Sequence, residues 1–258
     1  MADGFFNWLL SPRVILPLLL VAVVVIVLLT PVPDTSSVPE LSSHSARAGG
    51  ARAFFETTER LGWKVERRIE PFAEPLARRA VYAVLAPPIP LSGEEIHILL
   101  TAVREGAGLF FVAPDAGGLA DSLALRVRNS TTATIVESVG VPSTMEWGGE
   151  RCSGRFLDLD PYRGTTLLST LRTDSTVLRD TVTLMQVTAP REDRRPAVIG
   201  ATLGSGRVVV VSDPVFLRND VLRMCNQRGG VVAVRLLEWI TGAPGTQIVF
   251  DEHHHGYG

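Results

Sequence analysis

Residues 80–113 constrain the fold more than any other stretch of the chain. Residues 80–86 are an unbroken apolar run closed by Pro87 and Pro88, the pattern of a strand buried on both faces of a parallel sheet. Ser92 then predicts a helix N-terminus. Glu95 stands three residues on to complete a capping box, and Ile96, Leu99, Leu100 and Val103 fall at helical spacing before Gly106 stops the run. A second apolar run at 109–113 supplies the next strand. Strand, helix, strand predicts an α/β domain, because a crossover helix packs back onto the sheet that its two strands share. In open sheets of this class the ligand crevice lies at the carboxyl ends of the strands, so the loops after each strand are where function is sought.

The flanking sequence extends that unit. Ala53, Phe54, Thr57 and Leu61 mark a helix over 50–61 that Gly62 ends, and 63–69 alternates as a strand. Past Ser122 the helical period fades, and 123–128, 132–136, 155–159 and 177–187 read as short strands between turns. This predicts a β-rich insertion at about 120–196. Residues 197–203 and 207–211 flank Gly204-Ser205-Gly206, a hairpin signal, so the sheet is expected to be mixed at that point. Val232, Leu236, Leu237 and Ile240 continue an apolar pattern over 231–240, and 246–250 is the last strand.

The mean hydropathy of +0.22 is high for a soluble chain, and the excess sits at the front. Every residue of 14–29 is apolar, Pro17 included. A helix over 8–29 is long enough for a hydrocarbon core of about 30 Å, with Arg13 able to snorkel and Trp8 suited to the interface. A cleaved signal peptide would have a shorter run and a small-residue site, whereas this run enters Thr30-Pro31-Val32-Pro33-Asp34. The expected organisation is a membrane anchor at 1–33, a Ser/Pro-rich tether at 34–48 and an α/β domain at 49–258. Arg13 is the only cation near the N-terminal end of the span, while Asp34 and Glu40 follow the other end, which favours the globular domain outside the cytoplasm. Cys152 and Cys225 are the only cysteines; a disulfide in an exported domain and two small semi-buried thiols are both open readings.

Composition removes several function classes. Lys plus Arg number 25 against 27 Asp plus Glu, a net charge of −2 that supplies no field for nucleic acid. Lys64 is the sole lysine, so a phosphate-loop lysine and Schiff-base chemistry are excluded. There is no Gly-x-Ser-x-Gly or Gly-x-Cys-x-Gly elbow, and Gly200, Gly204 and Gly206 precede a hairpin strand without dinucleotide spacing. The pairs Arg67-Arg68, Arg78-Arg79 and Arg194-Arg195 read as solvated surface, with a patch facing anionic lipid as the alternative.

Polar groups gather where the carboxyl ends should be. Asp115 follows one strand, Ser212 and Asp213 another, and Asp251, Glu252, His253, His254 and His255 the last. Asn219 or Asp220 caps the next helix, with Asp220 a further candidate for ligand contact, and the alternative is a pocket that gathers Asp213, Asn219, Asp251 and His253. In an extended segment Asp251, His253 and His255 would share one face and Glu252 and His254 the other, a ligand set suited to zinc or another divalent metal. Hydrogen bonding to neighbouring loops is the plainer reading of the same residues.

The order of features is also recognisable. Ser42-Ser43-His44-Ser45, Glu59-Arg60-Leu61-Gly62, Leu91-Ser92-x-Glu94-Glu95 and Arg104-Glu105-Gly106-Ala107-Gly108 come first. Gly206-Arg207-Val208-Val209-Val210-Val211-Ser212-Asp213-Pro214, Asn219-Asp220 and Phe250-Asp251-Glu252-His253-His254-His255-Gly256 follow. Together they resemble the bacterial membrane family called domain of unknown function 4350, over nearly the whole chain and most specifically at its end. The resemblance implies a fold similar to class I glutamine amidotransferases and flavodoxin-like proteins. It implies an assembly at the cell envelope with a MoxR-type ATPase, and a second span after the final motif in longer members. The fold expected is therefore α/β, a mostly parallel flavodoxin-like sheet flanked by helices, with a β-rich insertion and an N-terminal transmembrane helix. The function expected is a membrane-tethered, non-catalytic domain, in contact with the lipid bilayer through residues 8–29, that binds a protein partner or small ligand without a cofactor. A metal-dependent hydrolase using Asp213, Asp251, His253 and His255 is the alternative.

Overall fold

The computed structural model describes residues 40–113, 117–130, 135–138, 145–147, 150–152, 168–173, 176–188, 195–222, 229–242 and 245–258. The chain divides into two compact units, Met1–Val38 and Pro39–Gly258, and the elements below all belong to the second. The strands are β1 (Lys64–Arg68), β2 (Ala80–Leu85), β3 (Gly108–Val112), β4 (Leu125–Ser130), β5 (Ile135–Ser138), β6 (Met145–Trp147), β7 (Glu150–Cys152), β8 (Leu168–Thr173), β9 (Arg179–Thr188), β10 (Arg195–Leu203), β11 (Gly206–Val211) and β12 (Gln247–Asp251). The helices are α1 (Arg52–Arg60), α2 (Gly93–Arg104), α3 (Gly118–Ser122), α4 (Asn219–Leu222) and α5 (Gly229–Thr241), with 3-10 turns at Pro214–Leu217 and His253–His255.

The main sheet has eight strands in the order β1-β12-β2-β3-β11-β10-β9-β5. Its first five are mutually parallel. All of β2 and β3 is buried, and alternate side chains feed opposite faces. Val81, Ala83, Leu85, Phe110 and Phe250 pack with Phe54 of α1 and Leu237 of α5 on one side. Tyr82, Val84, Leu109 and Phe111 pack with Leu99 and Val103 of α2 on the other. A sheet covered on both faces needs no polar side to its central strands, which explains their unbroken apolar runs. The capping box at α2 forms: the Ser92 hydroxyl accepts from the Glu95 N–H at 3.3 Å and Glu95 Oε2 accepts from the Ser92 N–H at 2.9 Å.

The mostly parallel sheet expected from sequence is corrected to a mixed one. β10 returns against β11 through the two-residue turn at Gly204-Ser205, so it has to run antiparallel. β9 then pairs antiparallel with β10 and β5 with β9. Residues of the supposed insertion therefore continue the main sheet instead of standing outside it. Two further antiparallel pairs, β4 with β8 and β6 with β7, bring the antiparallel ladders to a majority over the parallel ones among the described residues.

The N-terminal membrane helix is not among the helices found, and residues 8–29, where it was expected, lie outside the described residues. No helix among the described residues is long and apolar enough to cross a membrane. Residues 40–48, assigned in sequence to the tether, are built into the domain. Leu41, Ser42 and Ser43 are fully buried, and the chain is pinned there by Leu41 N–H to the Gly49 carbonyl and Ala51 N–H to the Ser42 carbonyl. Small residues and serines gave no apolar period, yet small side chains with hydroxyls are what a buried, hydrogen-bonded turn requires.

Candidate functional site

The carboxyl ends of the five parallel strands lie along one edge of the sheet, and the last turn of the chain is laid across part of it. β12 ends in Asp251, and the backbone then leaves the extended state to form the 3-10 turn at His253–His255. The Glu252 N–H donates to the Arg68 carbonyl and the His254 carbonyl accepts from the Ile89 N–H, tying the turn to the ends of β1 and to the loop after β2. Because the segment turns, the alternation of faces expected for Asp251, His253 and His255 does not hold. A helical turn brings residues three apart together, so Asp251 meets His254.

His254 is 2 % exposed, and both of its ring nitrogens face carboxylates. Nδ1 lies 3.0 and 2.8 Å from the two oxygens of Asp251, and Nε2 lies 3.2 Å from Glu95 Oε1. Phe72 stacks on the ring with centroids 6.0 Å apart. Burial opposes the charged imidazole, but the hydrogen bond to Asp251 and the charges of Asp251 and Glu95 outweigh it and hold its pKa above the ordinary value. Glu95 moves the other way. Its partial burial would raise the carboxyl, but hydrogen bonds from Ser92 and from the Phe72 N–H, with the His254 charge, lower it to about 2.

His253 is half-buried beside this pair, its Nδ1 3.1 Å from the Ile69 carbonyl. One ligand atom each from Glu95, His253 and His254 lie within 4.8 Å of one another. This group differs from the metal set read from sequence, Asp251, His253 and His255, and shares only His253 with it. Asp251 is spent on the His254 ring, and the His255 ring is buried. Burial pushes its imidazole below the ordinary value, against the charges of Glu252 and Asp251. Glu95 was visible in sequence only as a capping residue. The signal that could have found it is topological, since a helix following a parallel strand starts at the carboxyl edge.

Glu252 and Asn219 serve the framework. The buried Glu252 carboxylate accepts from the Ser42 hydroxyl and from the Ser43 N–H, each at 2.7 Å. Arg67 closes over this turn, donating to the Ser43 hydroxyl and carbonyl while its guanidinium sits 3.6 Å above the Phe55 ring. Asn219 Oδ1 accepts from the Ala53 N–H at 2.7 Å, capping α1 from a distant part of the chain, and its Nδ2 donates to the Ser45 and Arg47 carbonyls at 2.8 and 2.6 Å. Asp220 pairs with Arg218 at 2.8 Å. Ser212 and Asp213 are buried after β11. Asp115 lies outside the described residues, as does Cys225.

Two further features border the Asp251–His254–Glu95 relay. An open cleft of about 550 Å³ runs between Pro71, Phe72 and Glu74 on one side and Ser92, Glu95 and Ile98 of α2 on the other. Three of the four large apolar side chains exposed among the described residues, Ile69, Ile89 and Tyr257, also surround the final turn. Their own backbones are the ones tied to it: the Ile69 carbonyl to His253, Ile89 N–H to His254, and Tyr257 N–H to the Glu252 carbonyl. The loop after β2 turns at Ala86 with φ 47°, a left-handed conformation held by its N–H bond to the Val112 carbonyl.

The family model described as Domain of unknown function (DUF4350) matches residues 43–228, ending before the 250–256 motif on which the resemblance read from sequence was most specific. No curated protein sequence matches the chain. Among solved structures it is similar to the mmIFT52 N-terminal domain, at 13 % identity and a TM-score of 0.42 over 63 % of this chain and 77 % of that one. It is also similar to the cytoplasmic protein STM1381 from Salmonella typhimurium LT2, at 13 % identity and TM-score 0.41 over 72 % and 87 %. The exo-beta-1,4-mannosidase Op5Man5 from Opitutaceae bacterium strain TAV5 is similar at 15 % identity and TM-score 0.34 over 62 % of this chain, which spans about a quarter (25 %) of the mannosidase's length.

Proposed function

The chain belongs to the family described as Domain of unknown function (DUF4350), and from that premise we propose that it is a non-catalytic binding domain whose docking face is the carboxyl edge around the final turn. The observation that carries the reading is the gathering of exposed Ile69, Ile89 and Tyr257 about that turn. Exposed apolar side chains brought to one place, rimmed by polar groups, favour a protein partner. The polar centre beside them supports binding over turnover. A general base must offer a free nitrogen to its substrate, and in His254 each ring nitrogen is matched to a carboxylate. The left-handed turn after β2, a position where α/β enzymes can present a nucleophile, carries the methyl group of Ala86.

The bilayer at residues 8–29, an extracytoplasmic location for the domain and an assembly with a MoxR-type ATPase complete the proposal. The first two rest on the apolar run in the sequence, and the third on the resemblance. Photo-crosslinking in cells tests the docking face, with a crosslinking residue at Ile69, Ile89 or Tyr257 and, as control, at exposed Val182 on β9. Discrete adducts from the first three positions and none from Val182 are expected. The same pattern at all four, or none anywhere, refutes the face.

A further inference from the structure

We propose that Glu95, His253 and His254 bind one divalent transition-metal cation of the zinc type, independently of any partner on the apolar face. Two imidazoles and one carboxylate form a donor set that zinc takes in sites that keep a fourth position open. The spacing suits an ion. Donors about 2.0–2.2 Å from a tetrahedral centre stand roughly 3.3–3.6 Å apart. His254 Nε2 and Glu95 Oε1 are 3.2 Å apart, so an ion fits between them with little adjustment of either side chain. The third donor closes from within 4.8 Å by movement of His253, the least buried of the two histidines.

The surroundings orient both imidazoles as ligands. Asp251 takes the Nδ1 side of His254, and the Ile69 carbonyl takes the Nδ1 side of His253. A carboxylate or carbonyl that accepts the Nδ1 proton leaves Nε2 as the ligand nitrogen, the arrangement found behind metal-bound histidines, and the cation displaces to solvent the proton that His254 Nε2 otherwise directs at Glu95. The Glu95 carboxylate is held by the Ser92 and Phe72 N–H groups, so its oxygens are in place before a cation arrives. The cleft lined by Glu95 and Phe72 gives solvent and cation access.

Zinc alone, titrated calorimetrically into the full chain after chelator treatment and desalting, tests the site. One ion per chain is expected, with His253→Ala and Glu95→Gln each weakening binding at least roughly ten-fold and His97→Ala leaving it unchanged. His253→Ala removes a half-buried side chain, so its circular dichroism and melting should stay those of the parent. Cobalt in place of zinc should give the intense visible absorption of a low-coordinate site, lost in His253→Ala. The proposal is overturned if the parent takes up no zinc at about 100 μM, or if His253→Ala binds as the parent does. Neither outcome bears on crosslinking at Ile69 or Ile89, so the failure of one proposal is distinguishable from the failure of the other.

Discussion

Asp251 holds His254 by its ring, with carboxylate oxygens 3.0 and 2.8 Å from Nδ1 and both side chains almost wholly removed from solvent. Breaking a buried pair costs about 3–5 kcal/mol where the other charge is left uncompensated, and the Glu95 carboxylate at Nε2 keeps His254 partly matched, which sets the effect at the lower end. Asp251→Asn keeps the shape and removes the charge. It should lower the urea midpoint by the equivalent of about 3 kcal/mol without changing the slope of the transition. A midpoint within error of the parent would mean that the pair contributes nothing.

The same cluster gives a pH signature, best measured in the presence of a chelator. Glu95 is lowered from 4.5 to about 2, so its contribution is complete above 4.5 and disappears as pH falls toward 2. His254, facing Asp251, Glu95 and the His253 ring, is raised above 6.5, so its contribution is complete below 6.5 and is lost as pH rises through the folded value. These two groups place the maximum of melting temperature between those limits, and His255, whose buried imidazole is held below the ordinary value, tilts that maximum toward the upper limit. Glu95→Gln should flatten the acid limb and soften the alkaline one, because it also removes one of the two charges holding His254. Parallel profiles for parent and variant would show that the pair is not the source.

How much of this could be read in advance varied with the range of the interaction concerned. The capping box of α2 and the hairpin β10–β11 rest on contacts between near neighbours, and β2 shows as an unbroken apolar run because both of its faces are buried; all three were legible. The destination of β9 and β5 was not, because an antiparallel strand can continue a sheet or leave it with the same local pattern. At the site, Asp251 and the histidines stood out by composition, but their faces were read with a period of two where the backbone turns. Glu95 was hidden by having a sufficient local role already.

Asn219 makes a second long-range tie that sequence spacing conceals. α1 begins without a cap of its own, and Asn219 Oδ1 supplies it at the Ala53 N–H while Nδ2 holds two carbonyls of the 45–47 turn. Asn219→Ala removes three hydrogen bonds at a fully buried position. At about 1 kcal/mol for each bond and more for groups left unmatched, the loss should be about 2–4 kcal/mol. Asn219→Asp retains the cap oxygen but sets a carboxylate against the Ser45 and Arg47 carbonyls, and should be no more stable than the alanine variant. An aspartate variant as stable as the parent would refute the assignment of Nδ2.

Glu252 anchors the Ser42-Ser43 turn, which places tryptic cleavage after Arg47 under its control. Ser42→Ala deletes the 2.7 Å bond to a buried carboxylate, an effect of about 1.5–3 kcal/mol, and loosens the segment that carries the Arg47 carbonyl. Cleavage after Arg47 under native conditions should accelerate more than cleavage after Arg104 in α2, since the loss is local. Equal acceleration at both sites would show instead that the whole domain has been destabilised.

Gly206 opens β11 where the strand passes the end of α2. A Cβ there would run into the carbonyl oxygens of Val103 and Ala107, both backbone atoms that no rotamer change can move aside. Relief requires α2 to shift away from the sheet, and α2 carries Glu95 at its other end. Gly206→Ala should therefore cost about 1–3 kcal/mol, at the upper end because the obstruction is main chain. Gly93 offers the control, since its Cβ would meet nothing within 4 Å and alanine there should be near neutral or slightly stabilising. If the two alanine variants melt together, the main chain at the end of α2 does not obstruct a side chain on β11.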